Sequence, residues 1–109
     1  MKMITTLVQI KLSETLSLDN ARNIFASTAP KYIEVHGLIR KYYLLSEDGG
    51  TAGGVYLWES RSAAETLYTD EWKKFILQKY GSEPSVTYFD SPVIVDNLLG
   101  KIIQDDKRI

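Results

Sequence analysis

Lys41 and Tyr43 stand two residues apart in the run LIRKYYLL, and Tyr56 and Trp58 stand two apart in GGVYLWES. Residues two apart on a strand share a face, so each pair presents its side chains together. A lysine on such a face is suited to anchoring an anion or an enolate. Tyr43, Tyr56 and Trp58 are suited to stacking on an aromatic ligand. Each has a plainer structural role beside the chemical one: Lys41 with a packed stem and a wet ammonium, the aromatics as core or interface. Trp72 is a lid residue or helix core. Asn97 is a pocket amide or a turn residue. His36, the single histidine, has the side-chain type for acid–base work near neutral pH. Its Val-His-Gly setting equally suits a partner for helix-end carbonyls. Glu59, Glu65, Asp70 and Glu71 read as caps and helix N-terminal charges. No HExxH, CxxC, P-loop or GxSxG pattern is present, which argues against metal and nucleotide sites.

The elements that must position these groups follow from the patterning. Met3 to Leu12 alternates, with Ile4, Val8 and Ile10 on one side and Leu7, Gln9 and Lys11 on the other, and reads as strand 1. Ser17 or Asp19 caps a helix with the stripe Leu18, Ala21, Ile24, Phe25, Thr28, Ala29 and Tyr32. Pro30 falls inside that stripe and predicts a kink or break near Ala26 to Pro30. Strand 2 is Leu38 to Leu45 and strand 3 is Gly54 to Glu59, joined by a glycine-dense loop from Glu47 to Gly54. Ser62-Ala63-Ala64-Glu65 has the capping-box pattern of a short helix. Asp70 caps a further segment in which Trp72, Phe75, Ile76 and Tyr80 share a face, and Gly81 stops it. Val86 to Phe89 is the core of strand 4, and Pro92 predicts that the chain then runs at an edge or leaves the ladder. Residues 98–109 are expected to fray. The order is β-α-β-β-α-β.

Length and composition bound the rest. With 109 residues the chain reads as one domain, 1–109, with a modest core. Charged residues make up 25% and the net charge is −1, so nothing in the charge argues for nucleic acid or an acidic membrane surface. Without cysteine there are no disulfides, thiolate metal sites or cysteine nucleophiles. The N-terminal stretch carries no long apolar run and reads as neither signal peptide nor membrane span. The expected location is cytoplasmic.

The strands carry large apolar groups on both faces. Strand 2 sets Leu38, Arg40, Tyr42 and Leu44 against Ile39, Lys41, Tyr43 and Leu45. Strand 3 sets Val55 and Leu57 against Tyr56 and Trp58. Two helices cover only one face of a four-stranded antiparallel sheet, and a sheet with one wet face should alternate more cleanly. The economical cover for the second face is another copy of the sheet, so a homodimer is expected; the plainer alternative is that Tyr and Leu sit on a solvated face.

The run GLIRKYYLLSEDGGTAGGVYLWESRSAAETL resembles the putative mono-oxygenase (YdhR-like) branch of the dimeric α/β-barrel superfamily. The Gly-Leu strand entry, Lys41 within strand 2, Gly53-Gly54-Val55-Tyr56-Leu57, Ala63-Ala64-Glu65 and the PVIVDN segment carry the resemblance, over roughly residues 3–97. It implies an α+β, ferredoxin-like βαββαβ protomer that dimerises sheet against sheet into a dimeric α/β barrel. It also implies a cleft between sheet and helices for a small aromatic or polyketide-like molecule. These motifs are structural rather than catalytic.

Haem-degrading members of the superfamily place a Trp at the end of strand 3, an Asn on strand 1 and a His on the second helical region. Trp58 matches the first, Gln9 stands near the second, and EWKKFILQKY holds no His, so no axial ligand is available. The resemblance in register puts Gln9, Lys41, Tyr43, Tyr56 and Trp58 on the cleft face, with Trp72 above them. Val8, Ile10, Leu38, Tyr42, Leu44, Val55 and Leu57 then meet the partner. It implies a cofactor-independent mono-oxygenase in which Lys41, Tyr43 and Tyr56 act on the substrate and Gln9, Trp58 and Trp72 bind it. The alternatives are a ligand-binding or stress-associated dimer without chemistry, and an isomerase or dehalogenase on the same scaffold.

Overall fold

The computed structural model describes residues 2–105. Its elements are β1 (Ile4–Lys11), α1 (Leu18–Thr28), a 3-10 turn (Ala29–Tyr32), β2 (Leu38–Leu45), β3 (Thr51–Trp58), α2 (Arg61–Leu67), α3 (Asp70–Tyr80), β4 (Ser85–Asp90), β5 (Val93–Asp96) and β6 (Lys101–Gln104). The first four strands make one antiparallel sheet in the order β2-β3-β1-β4. This is the α+β, ferredoxin-like arrangement expected from the sequence.

Local chemistry sets the element ends. Ser17 caps α1, its hydroxyl accepting from the Asn20 N–H at 3.1 Å. The expected break occurs: α1 ends at Thr28, and Pro30 lies in the first turn of the 3-10 segment, where a missing N–H is tolerated. The tighter turn carries Tyr32 into the core. Two caps lie earlier than expected. Ser60, in an extended conformation, caps α2 in place of Ser62 and accepts from the Ala63 N–H at 3.1 Å. Thr69 caps α3 in place of Asp70, whose charge then faces the positive end of the helix dipole. Gly81 closes α3 in the left-handed conformation. Gly37 has φ +79°, and a Cβ there would lie 2.5 Å from the Ala63 Cβ. Both the turn and the approach of α2 to the start of β2 therefore call for glycine.

The register decides which face each side chain takes. Directly opposed residues share a face, and β1 opposes β3 as Ile4↔Trp58, Thr6↔Tyr56 and Val8↔Gly54. Ile4, Thr6, Val8 and Ile10 are accordingly buried beneath the helices, while Gln9 and Lys11 are exposed on the other side. This corrects the expected assignment of Val8 and Ile10 to the partner face and Gln9 to the cleft. β2 carries an irregularity between Leu38 and Arg40. Leu38 opposes Trp58 and packs on the core, not on the outer face, whereas Arg40, Tyr42 and Leu44 point outward as expected.

The core under the helices is aromatic. Trp58 is 0% exposed, Val8 and Tyr56 are 2% exposed, and Ala64, Tyr68, Trp72 and Ile76 close over them. The chain leaves the ladder after Asp90, as Pro92 predicts. The C-terminal segment does not simply fray: β5 and β6 pair antiparallel as a separate hairpin, with Ile94 opposite Ile103. Residues 106–109 of the expected frayed tail lie outside the described residues. Ile94 reaches the outer face of the large sheet beside Thr5, Arg40, Tyr42 and Leu57. The Arg40 guanidinium lies 3.7 Å from the Asp96 carboxylate of the hairpin. Much of this outer surface remains open, with Tyr42 at 55% and Phe89 at 50% exposure. No helix is long and apolar enough to cross a membrane among the described residues.

Candidate functional site

The site is built around one cation. β2 is an edge strand, and Lys41 opposes Tyr56 of β3. Tyr43 is two residues along the same strand, so its ring stands beside the Lys41 side chain. The 3-10 turn delivers Tyr32 from the helical layer. The Lys41 Nζ consequently lies 3.4 Å from the ring centre of Tyr32, 3.8 Å from that of Tyr43 and 4.7 Å from that of Tyr56. Burial brings its ammonium down to about 7 from the ordinary lysine value. The ring faces act in the opposite sense and hold the charged form. None of the ion pairs among the described residues involves Lys41.

Tyr32 and Tyr43 are held by hydrogen bonds, and burial favours the protonated form of Tyr43 and Tyr56. Tyr43 OH lies 2.8 Å from the Thr28 hydroxyl, and burial raises its pKa. Burial pushes the Tyr56 hydroxyl far above the usual phenol range, with the neighbouring tyrosines adding to it. Tyr32 OH accepts from the Trp72 indole N–H at 3.1 Å. Tyr80 on α3 is pushed up to about 12, mainly by burial. Burial thus keeps Tyr43 and Tyr56 protonated at neutral pH. The Tyr43 hydroxyl donates to Thr28, whose own hydroxyl donates to the Phe25 carbonyl. Lys41 is the group of this cluster whose pKa is brought toward neutrality.

Lys41, Tyr43, Tyr56 and Trp72 line one cavity between sheet and helices, with Val8, Ile10, Thr28, Tyr32, Phe75, Ile76 and Tyr80. Its volume is about 20 Å³, room for roughly one water. Lys41, Tyr32 and Tyr43 also line an outer groove of about 250 Å³ with Ala29, Ile33, Leu38, Ile39 and Arg40. The caged lysine thus stands between a small inner cavity and a larger groove at the sheet edge.

Two residues expected at the cleft are elsewhere. Gln9 opposes Gly53 on the outer face and is exposed. Trp58 is on the helix side but does not line the cavity. Its ring lies parallel to Tyr56, 6.0 Å away, with the Tyr68 ring at its edge. Its indole N–H donates to Thr6 Oγ1 at 3.0 Å, and Thr6 shares a 2.6 Å hydrogen bond with Tyr68 OH. Trp58 is a satisfied core residue one layer behind the cavity wall. His36 is exposed in the loop before β2, and Asn97 is exposed in the turn between β5 and β6. The residue that sequence reading missed is Tyr32, the ring nearest Lys41. Its place in the helix stripe marked it as core. Only the Pro30 break hinted that it would turn toward the sheet.

Among the described residues no group of three or more His, Asp or Glu side chains could hold a metal ion. Phe75 and Ile76 occupy the stretch of α3 over the cavity, and neither offers an atom to bind iron. A cavity of about 20 Å³ also leaves no room for a haem there.

No curated protein matches the chain. Solved structures share its fold. A monooxygenase from Streptomyces coelicolor, ActVA-Orf6 in complex with nanaomycin D, superposes with a TM-score of 0.63 at 16% identity, over 81% of this chain and 86% of that one. SnoaB, a cofactor-independent oxygenase from Streptomyces nogalater, gives a TM-score of 0.62 at 15% identity, over 84% and 94%. A dimeric ferredoxin-like protein from an uncultured marine organism gives 0.62 at 12%, over 84% and 96%. At these identities the likeness is one of fold. The sequence itself matches a family model described as "Putative mono-oxygenase ydhR" over residues 7–90, most of the chain, from within β1 to the end of β4. The chain belongs to that ydhR mono-oxygenase family.

Proposed function

We propose that the protein is a cofactor-independent mono-oxygenase acting on a small aromatic or polyketide-like compound, and that it works as a homodimer. The observation that carries the reading is the Lys41 amine, walled by three tyrosine rings at the junction of cavity and groove. A base whose pKa lies near the working pH is suited to general base catalysis. In the proposed reaction the neutral amine takes a proton from an activated CH₂ or phenol of the substrate. The resulting carbanion reacts with O₂ to give a hydroperoxide at that carbon. Loss of water leaves a C=O where the CH₂ had been, so one oxygen atom enters the product and the other leaves as water. The ammonium so formed stabilises the enolate. The fold shared with two Streptomyces oxygenases supports this reading, one of them in complex with nanaomycin D.

The inner cavity is far below the roughly 300–1,000 Å³ of a usual small-molecule site. Substrate is therefore expected to lie in the outer groove and displace the Lys41 side chain inward or outward. The same tight cavity favours a second reading, a dimer that binds aromatic ligands without chemistry. Following O₂ uptake with a hydroxyanthracene separates the two. Turnover that falls by at least about a hundredfold in Lys41→Met supports the oxygenase. Quenching of tryptophan fluorescence with no O₂ uptake selects the binding protein.

The outer sheet face supports the dimer. Tyr42, Leu44 and Phe89 are exposed there, and the hairpin adds Val93, Val95, Leu98, Leu99 and Ile102. A lone two-stranded hairpin is marginal in water, and a second protomer would cover it together with the sheet. A chain without cysteine also suits the reducing cytoplasm.

A further inference from the structure

Lys41 differs from the other lysines in more than its rings. Among the described residues every other lysine is exposed, and of these lysines Lys41 alone lies between a small inner cavity and a larger groove. The groove is walled by Tyr32, Ile33 and Tyr43, flat or apolar surfaces that suit a planar ring. The cavity behind is walled by Val8, Ile10 and Ile76 and has room for about one water.

We propose that Lys41 is a carbonyl-binding amine, forming an imine with flat aromatic aldehydes and ketones that enter the groove between the Ala29–Tyr32 turn and β2. The amine nitrogen attacks the carbonyl carbon. The two protons lost by nitrogen pass to the carbonyl oxygen, which leaves as water. A C=N bond replaces C=O, and nothing is oxidised or reduced. A lysine with a buried stem and a desolvated amine is the type that forms Schiff bases. The Tyr43 proton is taken by Thr28, whose own hydroxyl donates to the Phe25 carbonyl, so the departing oxygen takes its protons from the solvent side of the open groove. The inner cavity, with room for about one water, limits the water that could reverse the step from that side. This chemistry needs no O₂ and goes beyond the oxygenase reading; the two stand or fall separately.

The test is reductive trapping on the full chain. The protein is incubated at pH 7.5 with 2-naphthaldehyde and cyanoborohydride under nitrogen, then weighed intact and mapped by peptide. At that pH a lysine titrating near 7 has a neutral fraction about three orders of magnitude above that of an exposed one. Its lower basicity offsets part of that gain. The expected result is one lysine adduct per chain, on Lys41, counted in the peptide map apart from any label on the α-amine, formed at least about tenfold faster than on any other lysine and lost in Lys41→Arg. The wild-type peptide map decides the matter even where the variant folds poorly. Label spread over the exposed lysines, or Lys41 labelled no faster than they are, overturns the proposal.

Discussion

The Lys41 Nζ lies 3.4 Å from the centre of the Tyr32 ring. The two residues come from different layers. Lys41 is on the edge strand β2, and Tyr32 ends the 3-10 turn that Pro30 opens. The turn sets Tyr32 over the sheet, and the Trp72 indole holds its hydroxyl from α3. A helix break, an edge strand and a second helix thus converge on one ammonium.

That ammonium should make stability depend on pH. The folded-state pKa of Lys41 lies near 7, below its ordinary value of 10.5. Between those values the unfolded chain holds the proton and the folded chain does not. Stability therefore rises with pH across that window, by at most about 1.4 kcal/mol per pH unit. Below pH 7 the penalty for the buried charge is fully present. Above about pH 10 the raised pKa values of Tyr43 and Tyr56 act in the opposite sense, because unfolded tyrosines ionise first. Urea midpoints at pH 6, 7.5 and 9 should climb for the wild type and stay nearly level for Lys41→Met. Parallel slopes for the two proteins would show that the amine is not desolvated.

The behaviour of Trp58 follows from the other side of Tyr56. Thr6 is 0% exposed and receives the Trp58 indole N–H while bonded to Tyr68 OH. Thr6→Val keeps the shape but removes the partner of two buried polar groups. A loss of about 1–3 kcal/mol is expected, read from the urea midpoint. Trp58→Ala should cost about 3–5 kcal/mol through its cavity. Ligand binding by the surviving folded fraction should change little. A Trp58 variant that folds as well as wild type yet loses the ligand would return this residue to the site.

The order of elements was legible because alternation, caps and glycines are local signals. So was the pairing of Lys41 with Tyr43, and of Tyr56 with its neighbours, because period 2 fixes faces within a strand. The face that β1 presents was not, because it depends on register between strands. The composition held a clue: Ile4, Thr6, Val8 and Ile10 are together more apolar than Thr5, Leu7, Gln9 and Lys11. Giving the first set to the core would have moved Gln9 to the outer face. The bulge at Leu38 is a tertiary outcome with no local signature, and the Pro30 break marks where the chain turns at Tyr32 but not that its ring meets Lys41. The C-terminal hairpin went unread because short runs such as KIIQ lack a periodic pattern.

The outer face yields the last prediction. Tyr42 opposes Val55 and Arg40 opposes Leu57 on the sheet surface away from the helices. Tyr42 is 55% and Leu44 37% exposed in the single chain, and the hairpin leaves Leu98 at 98%. Covering such groups contributes about 1.5–3 kcal/mol each, against an association cost of several kcal/mol. A handful suffices for a dimer at micromolar concentration. Light scattering should give about twice the 12.4 kDa of one chain. Tyr42→Glu with Leu44→Asp would set charges against their copies on the partner sheet and should shift the mass to one chain with the far-UV spectrum unchanged. The core beneath contains neither residue, so the fold should survive. A wild-type mass of one chain would remove the sheet-to-sheet dimer, and an unaltered dimer in the double variant would place its interface elsewhere.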